Sequence, residues 1–145
     1  MRQFRQVFNA VKTHFQQVER KVGLGGAQVW ALSVIQQSPG VGVGGLAAAM
    51  DIHQSTASTL VKALVERGLV TLTRDPEDRR VVQLKLLPAA TRILRRVPGP
   101  FAGVLPEALL ALDSTTLKRI EADLAKLMKV LKVAAGSGAI PLAEL

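Results

Sequence analysis

Two histidines and one glycine-rich run are the residues of this chain that could support catalytic or nucleotide chemistry. His14 and His53 lie in separate segments, and neither has a metal-ligand spacing, so each is better explained as a packed or surface residue. The run Gly40–Gly45 matches G-x-G-x-x-G, and Glu66 follows at about the distance expected of a ribose-binding acid. A dinucleotide fold needs a strand before the glycines, whereas residues 36–39 end a predicted helix. A nucleotide-binding enzyme remains an alternative, and we predict no catalytic residue, cofactor or metal.

Residues 43–62 have the pattern of a helix-turn-helix. Ala47 and Ala57 are small enough for two helices to cross, and apolar anchors surround the turn at Leu46, Met50, Ile52 and Leu60. The second helix begins with short hydroxyl and amide side chains, which can reach base edges and phosphates in a major groove. We assign DNA contacts to Gln54, Ser55, Thr56, Ser58, Thr59 and Lys62.

Two residue types in this motif have a second interpretation. Ser55 and Thr56 could cap the second helix, a role compatible with phosphate contact. Asp51 occupies the turn position where glycine is common. Aspartate tolerates a left-handed backbone better than most residues, so the turn is still expected there.

A β-hairpin follows the helix-turn-helix. Strands are predicted at 69–73 and 81–86 because β-branched and apolar residues are dense there, and the cluster at 75–78 predicts the turn between them. The tip carries Arg79 and Arg80. The fold class expected is mainly α with a small antiparallel β-hairpin, a winged helix-turn-helix.

The helices around this unit are predicted from apolar spacing and breaks. Helices are expected at 4–22, 27–37, 45–50, 54–67 and 89–97, with a break at 98–100 and a last helix capped by Asp113. Apolar stripes with steps of three and four run along both terminal helices: Phe4, Phe8, Val11, Phe15, Val18 and Val22, then Leu117, Ile120, Leu124, Leu127 and Leu131. These stripes either face the monomer core or pack across a two-fold axis, and we predict a homodimer.

The amino-acid composition limits which classes of binding partner are expected. The chain has 145 residues, 48% of them hydrophobic, no cysteine, and a formal net charge of +8. That length suits one domain with a sizeable core. The longest nearly apolar stretch, 22–35, is shorter than the roughly 18 residues of a membrane span. We find no leader pattern, so we expect a cytoplasmic protein with no membrane partner. The positive charge favours nucleic acid.

With this helix-turn-helix and hairpin, the sequence resembles the MarR type of winged-helix transcription regulators. The resemblance lies in Ser55-Thr56-Ala57-Ser58, in residues 64–70, and above all in residues 75–86. The wing signature of that family is Asp-x-Arg-x-x-x-Leu-x-Leu-Thr, and the chain has Asp78, Arg80, Leu84 and Leu86 in place. Three positions depart from the family pattern: Leu87 replaces the threonine, Ala90-Thr91 replaces a glycine, and Thr59 replaces a longer, often basic residue.

The resemblance implies how the chain would bind DNA. The second helix of the motif would occupy the major groove, and Arg80 would enter the minor groove, with Asp78 as its orienting partner. Arg74 and Arg79 complete the predicted contacts to an inverted-repeat operator in double-stranded DNA. Alternatively, Arg79 and Arg80 only pair with the acids of the turn. An architectural DNA-binding dimer without an effector, or a winged helix used for protein contacts, are further alternatives.

The resemblance also implies an organisation and an effector. Residues 1–145 would form one MarR-like domain, with dimerisation helices at 1–22 and 88–135, a winged-helix part at 25–87 and a loosely tethered tail at 136–145. The function implied is a repressor released by a small phenolic or anionic compound. At the junction of the two parts we assign His14, Phe15, Trp30 and Arg95 to an effector pocket, although Trp30 also suits the core.

Overall fold

The computed structural model describes residues 1–133, 137–139 and 141–144. Within those ranges the chain forms seven α-helices and one two-stranded antiparallel sheet, so the predicted fold class is confirmed. None of these helices is long and apolar enough to cross a membrane. The elements in chain order are α1 (Arg2–Val22), α2 (Gly26–Gln37), α3 (Val43–Met50), α4 (Gln54–Glu66), β1 (Val70–Arg74), β2 (Val82–Leu86), α5 (Pro88–Arg96), α6 (Val104–Leu110) and α7 (Ser114–Val130).

Helix α2 forms the centre of the core. It is apolar on nearly all faces, and a helix of that kind is stable only when other elements cover it. Helix α3, strand β2 and helix α5 pack around it, and α4 closes the core beside α3. The largest fully buried side chains of this core include Leu32 of α2, Leu46 of α3, Leu64 of α4 and Leu84 of β2.

The turn between α3 and α4 has the predicted backbone. Asp51 adopts the left-handed conformation, with φ 52° and ψ 47°, and its N–H donates to Ala48 O at 3.2 Å. Ala47 and Ala57 are both buried where α3 packs on α4, as a close helix crossing requires. The helix-turn-helix is therefore present, with α3 beginning two residues earlier than the predicted 45.

The hairpin pairs in a regular register and has an additional neighbour. Leu72 lies opposite Leu84, and Arg74 opposite Val82. The N–H of Leu84 donates to Val41 O at 2.8 Å, so the loop ahead of α3 also pairs with the hairpin. A methyl group on Gly42 would lie 3.0 Å from Val82 O. The glycine run therefore permits a close backbone approach to β2. A helix, α2, precedes it where a dinucleotide fold needs a strand.

The N-terminal stripe is divided between two environments. Val11, Phe15 and Val18 are buried within the monomer, so for this part of the stripe the core-facing alternative holds. Phe4 and Phe8, one to two turns earlier, are exposed. The covering of α1 by α2 and α6 reaches only its C-terminal half, and the N-terminal half is left with an uncovered apolar face.

The C-terminal stripe is not covered by the rest of the monomer. Helix α7 has no buried residue, and Leu124 and Leu127 are 45% and 38% exposed. A groove of about 320 Å³ brings these two leucines together with Phe4 and Ile120. The two ends of the chain therefore form one continuous apolar groove, which we call the α1/α7 groove.

The C-terminal segment corrects another expectation. The tail was predicted to be loosely tethered, but Pro141 is buried and Ala143 packs against the core. The short 3-10 turn Leu142–Glu144 contacts both α1 and α2. Residues 134–136, 140 and 145 of that tail lie outside the described ranges.

Helix α7 begins with the predicted aspartate cap. Asp113 Oδ1 accepts from the backbone N–H of Thr116 at 2.9 Å, and Oδ2 accepts from the Thr116 hydroxyl at 2.7 Å. These hydrogen bonds, the hydroxyl first, hold the pKa of the Asp113 carboxyl below its ordinary value. A carboxyl with a lowered pKa stabilises the fold above its unfolded-state pKa, and this contribution is lost as the pH falls through the folded-state pKa.

We expect Asp113→Ala to loosen the first turn of α7. Loss of an N-terminal cap should speed hydrogen exchange of the Thr116 amide by about fivefold near neutral pH. The difference from the parent should shrink as the pH falls below about 4. Glu121→Ala removes an exposed acidic side chain from the middle of the same helix, outside the α1/α7 groove, and is the control. Equal exchange in the Asp113 variant and the parent would show that the cap contributes nothing.

Candidate nucleic-acid interface

Helix α4 has one buried face and one polar face. Its buried face consists of Ala57, Leu60, Val61 and Leu64, which anchor it in the core. The opposite face carries the predicted DNA-contact residues. Of these, Thr56 is half-buried, and the exposed ones are Gln54, Ser55, Ser58, Thr59 and Lys62. The core thus holds the helix while its polar N-terminal half stays open to a partner.

The capping alternative for Ser55 and Thr56 is wrong. The N-cap of α4 is His53, and no side chain caps the helix. Ser55 and Thr56 lie inside the first turn, where their hydroxyls are not used for capping. Thr59 is partly engaged, because its hydroxyl donates to Ser55 O at 3.0 Å. Because the hydroxyl proton of Thr59 is already donated to Ser55 O, the hydroxyl oxygen is left to accept a hydrogen bond from a partner.

Asp75 organises the turn of the wing. Its Oδ1 accepts from the backbone N–H groups of Glu77 and Asp78 at 2.8 and 3.1 Å, and its Oδ2 accepts from Gln83 Nε2 at 2.6 Å. The sequence assigned Asp75 only to a turn cluster and missed this role. The signal was available, because aspartate directly after a strand commonly accepts from backbone N–H groups two and three residues on.

The tip of the wing presents Arg80 to solvent. Its backbone N–H and its Nε both donate to Asp78 Oδ1, at 3.0 and 3.3 Å. The side chains of Arg80 and Asp78 are 93% and 47% exposed. An exposed ion pair of this kind contributes little to stability, so it directs the guanidinium without holding it firmly. Arg74 and Arg79 are exposed as well and carry further positive charge on the wing.

The predicted effector residues do not form one site. Phe15 and Trp30 line the same cavity of about 190 Å³, and Trp30 also lines a second cavity of about 320 Å³ near α6. His14 instead donates from Nε2 to Pro100 O at 3.1 Å. Arg95 is exposed at the end of α5 and lines neither cavity, so the structure does not bring it together with Phe15 and Trp30. Its basic side chain belongs to the polar face of an amphipathic helix.

The part of the chain that the structure describes contains no group of three or more His, Cys, Asp and Glu side chains placed to hold a metal ion.

A helix-turn-helix followed directly by an antiparallel hairpin, with apolar helices before and after, defines a winged-helix protein. Residues 22–81, from the end of α1 to the tip of the wing, match the model of the MarR family. The resemblance to the MarR family found in the sequence is therefore confirmed over residues 22–81, which hold the winged-helix part of this chain.

Two curated relatives are similar over this part. A putative transcriptional regulatory protein for the hcr operon of Thauera aromatica is 36% identical over 66 residues, which is 46% of this chain and 40% of the relative. The uncharacterized HTH-type transcriptional regulator YsmB of Bacillus subtilis (strain 168) is 30% identical over 90 residues, or 62% of each chain. The matched stretches thus span less than two thirds of both relatives.

Solved structures share the fold over most of the chain. A MarR family protein from Bacillus stearothermophilus is 24% identical with a TM-score of 0.58, covering 90% of this chain and 91% of its own. CouR from Rhodococcus jostii RHA1, bound to p-coumaroyl-CoA, is 24% identical with a TM-score of 0.60, covering 84% and 86%. An S. aureus MepR variant bound to an oligodeoxyribonucleotide is 19% identical with a TM-score of 0.56, covering 88% and 95%. At these identities the likeness shows the fold alone.

Proposed function

We propose that this protein is a sequence-specific, DNA-binding transcription regulator of the MarR type and not an enzyme. The observation that carries the proposal is the exposed polar start of α4, which packs against a wing whose tip arginine is 93% exposed. A short polar helix start suits a major groove, and an arginine on a thin hairpin suits a narrow, negative minor groove. A structural neighbour with this fold is bound to an oligodeoxyribonucleotide, which supports the same partner here.

The proposed contact residues fall into three groups: those that contact base edges, those that contact phosphates, and the arginine that enters the minor groove. Gln54, Ser58 and Thr59 can meet base edges, since they lie on the exposed face of α4. Ser55, Thr56, Lys62, Arg74 and Arg79 suit phosphates. Arg80 reads groove width and charge, with Asp78 orienting its guanidinium.

A homodimer is the assembly that the exposed stripes support. The α1/α7 groove combines apolar side chains from both ends of the chain, and a face of this kind on a monomer usually marks an interface. A two-fold axis through it would present two copies of α4 to one DNA duplex.

A small-molecule effector fits the same scheme. The finer role proposed is a repressor that an effector releases from its operator. The cavities beside Trp30 lie between the terminal helices and the winged helix, where a ligand could alter their relative position. The neighbour CouR is bound to p-coumaroyl-CoA, which supports ligand binding within this fold. An architectural dimer would bind DNA equally well but would not respond to a ligand.

We expect the protein to protect an imperfect inverted repeat in the DNA upstream of its own gene. The half-site centres should lie about 10 bp apart, because a two-fold dimer reads two-fold DNA about one helical turn apart. Affinity should fall steeply with salt, by about a thousandfold between 50 and 200 mM if six or more phosphates are contacted. Footprinting across a salt series, with and without candidate small molecules, measures both.

Two results of that footprinting experiment would decide against the proposal. Affinity that stays constant across the salt series would exclude a phosphate-contacting interface. A protected site with no two-fold symmetry would exclude the dimeric arrangement. A duplex of equal length with one half-site scrambled is the matched control.

A further inference from the structure

A small cavity, partly open to solvent, lies between the turn of the helix-turn-helix and the C-terminal segment. Residues 50–52 of the turn form one wall, residues 141–143 form another, and the aromatic side chains of Phe15 and Trp30 complete the lining with residues of the α6 region. Its volume is about 190 Å³. A cavity of about 150 Å³ is enough to hold benzene, so this one accommodates a single aromatic ring with a short substituent.

The charge of this cavity is negative. Asp51 is the one ionised residue among its described lining residues, and all the others are apolar. Asp51 lies at the open side of the cavity and is exposed, so water screens part of its charge. Among the described residues its carboxylate has neither a hydrogen bond nor an ion pair, and only its backbone N–H is engaged. The two basic residues that the sequence assigned to an effector pocket, His14 and Arg95, do not line it. A carboxylate without a compensating cation disfavours an anionic ligand and favours a cationic one.

The aromatic residues strengthen the same preference. Trp30 is half-buried and Phe15 is buried, so their rings offer apolar contact area at fixed positions. The Phe15 ring packs against Gly26 and Gly103, where a side chain would overlap it, so the ring is held in place. A cation near the face of a tryptophan or phenylalanine ring gains a favourable electrostatic interaction, most of all with tryptophan.

We propose that this cavity is a binding site for a one-ring aromatic cation, with Asp51 balancing its charge and Trp30 and Phe15 packing against its ring. The charge preference differs from the anionic class that the family resemblance suggested. Ligand binding itself does not depend on the proposed function, but an effect of the ligand on DNA binding does. The wall at 50–52 lies just before α4, so a ligand there contacts the segment that positions this helix.

Binding can be measured on the DNA-free dimer or monomer, because Trp30 is the single tryptophan of the chain and lines the cavity. The probes are benzylammonium, benzyl alcohol and benzoate, which share one ring and differ in charge. We expect benzylammonium to change Trp30 fluorescence saturably and to bind about tenfold more tightly than benzoate, with benzyl alcohol between them.

Asp51→Asn tests the charge while keeping the turn, since asparagine also tolerates the left-handed backbone of this position. It should weaken the binding of benzylammonium by about threefold, as expected for a pair with an exposed carboxylate, and leave the binding of benzyl alcohol unchanged. Glu121→Gln removes one negative charge from α7, outside both this cavity and the α1/α7 groove, and should change neither. Leu142→Ala removes apolar contact area from one wall at an exposed position, and it should weaken the binding of all three probes alike.

Three outcomes would overturn the proposal: benzoate binding as tightly as benzylammonium, an unchanged benzylammonium affinity in Asp51→Asn, or no saturable fluorescence change with any probe. None of these depends on DNA. Failure of DNA binding would contradict the proposed function but not the ligand site. Failure of ligand binding would contradict the ligand site but not the proposed function.

Discussion

Replacing both Leu124 and Leu127 with aspartate is expected to convert the protein into monomers or insoluble material. Both leucines lie in the α1/α7 groove. Covering these side chains in a dimer would place unpaired carboxylates in an apolar contact, which costs several kcal/mol for each charge. The dissociation constant of the dimer should rise by more than about a hundredfold, and DNA affinity should fall with it.

Light scattering and sedimentation measure this outcome directly. Ala122→Asp with Ala125→Asp is the matched control, because it adds the same charge at the same spacing on the opposite, exposed face of α7. The control should remain a dimer. A Leu124/Leu127 variant that stays soluble with the mass of the parent assembly would remove the α1/α7 groove from the interface.

Arg80→Ala is expected to weaken binding to every DNA sequence by a similar factor, about tenfold, and to reduce the salt dependence. The reason is that the guanidinium is exposed at the tip of the wing and senses charge and groove width instead of individual bases. Its only side-chain partner is Asp78 among the described residues, in an exposed pair, so circular dichroism should show an unchanged fold.

The recognition helix should respond differently in the same binding panel. Gln54→Ala and Thr59→Ala are expected to change the preference at particular base pairs by about 1–3 kcal/mol. Arg92→Ala removes an exposed arginine from α5, outside the proposed interface, and controls for loss of net charge. If Arg80→Ala bound all operator variants like the parent, the wing would be a structural hairpin only.

Local signals in the sequence were sufficient to predict the winged helix. The turn at Asp51, the hairpin and the strong apolar periods gave elements whose bounds lie within two residues of those in the structure for α3, α4 and both strands. Turn chemistry and helix spacing act over a few residues, so they are readable without knowledge of the tertiary fold.

Long-range packing explains what the sequence did not predict. Periodicity locates an apolar face on α1, but it does not reveal that Val11 and Phe15 face the monomer while Phe4 stays exposed. The glycine run matched a dinucleotide-binding pattern in the sequence. In the structure the Leu84 N–H donates to Val41 O, so the run lies against strand β2. Arg95 was placed by resemblance, and the orientation of α5 leaves it exposed and away from the lining of the cavity.

The hydrogen bond from the Leu84 N–H to Val41 O limits where this chain can be cut to make a chimera with a relative. The hairpin is anchored to the loop ahead of α3, so a transplanted wing would meet a foreign backbone at residues 41–42. Gly42 approaches Val82 O so closely that a side chain from another host would press on the new strand. The smallest transferable piece of this chain therefore extends from Gly40 to Leu86, and a chimera cut between α4 and β1 should lose the wing's geometry.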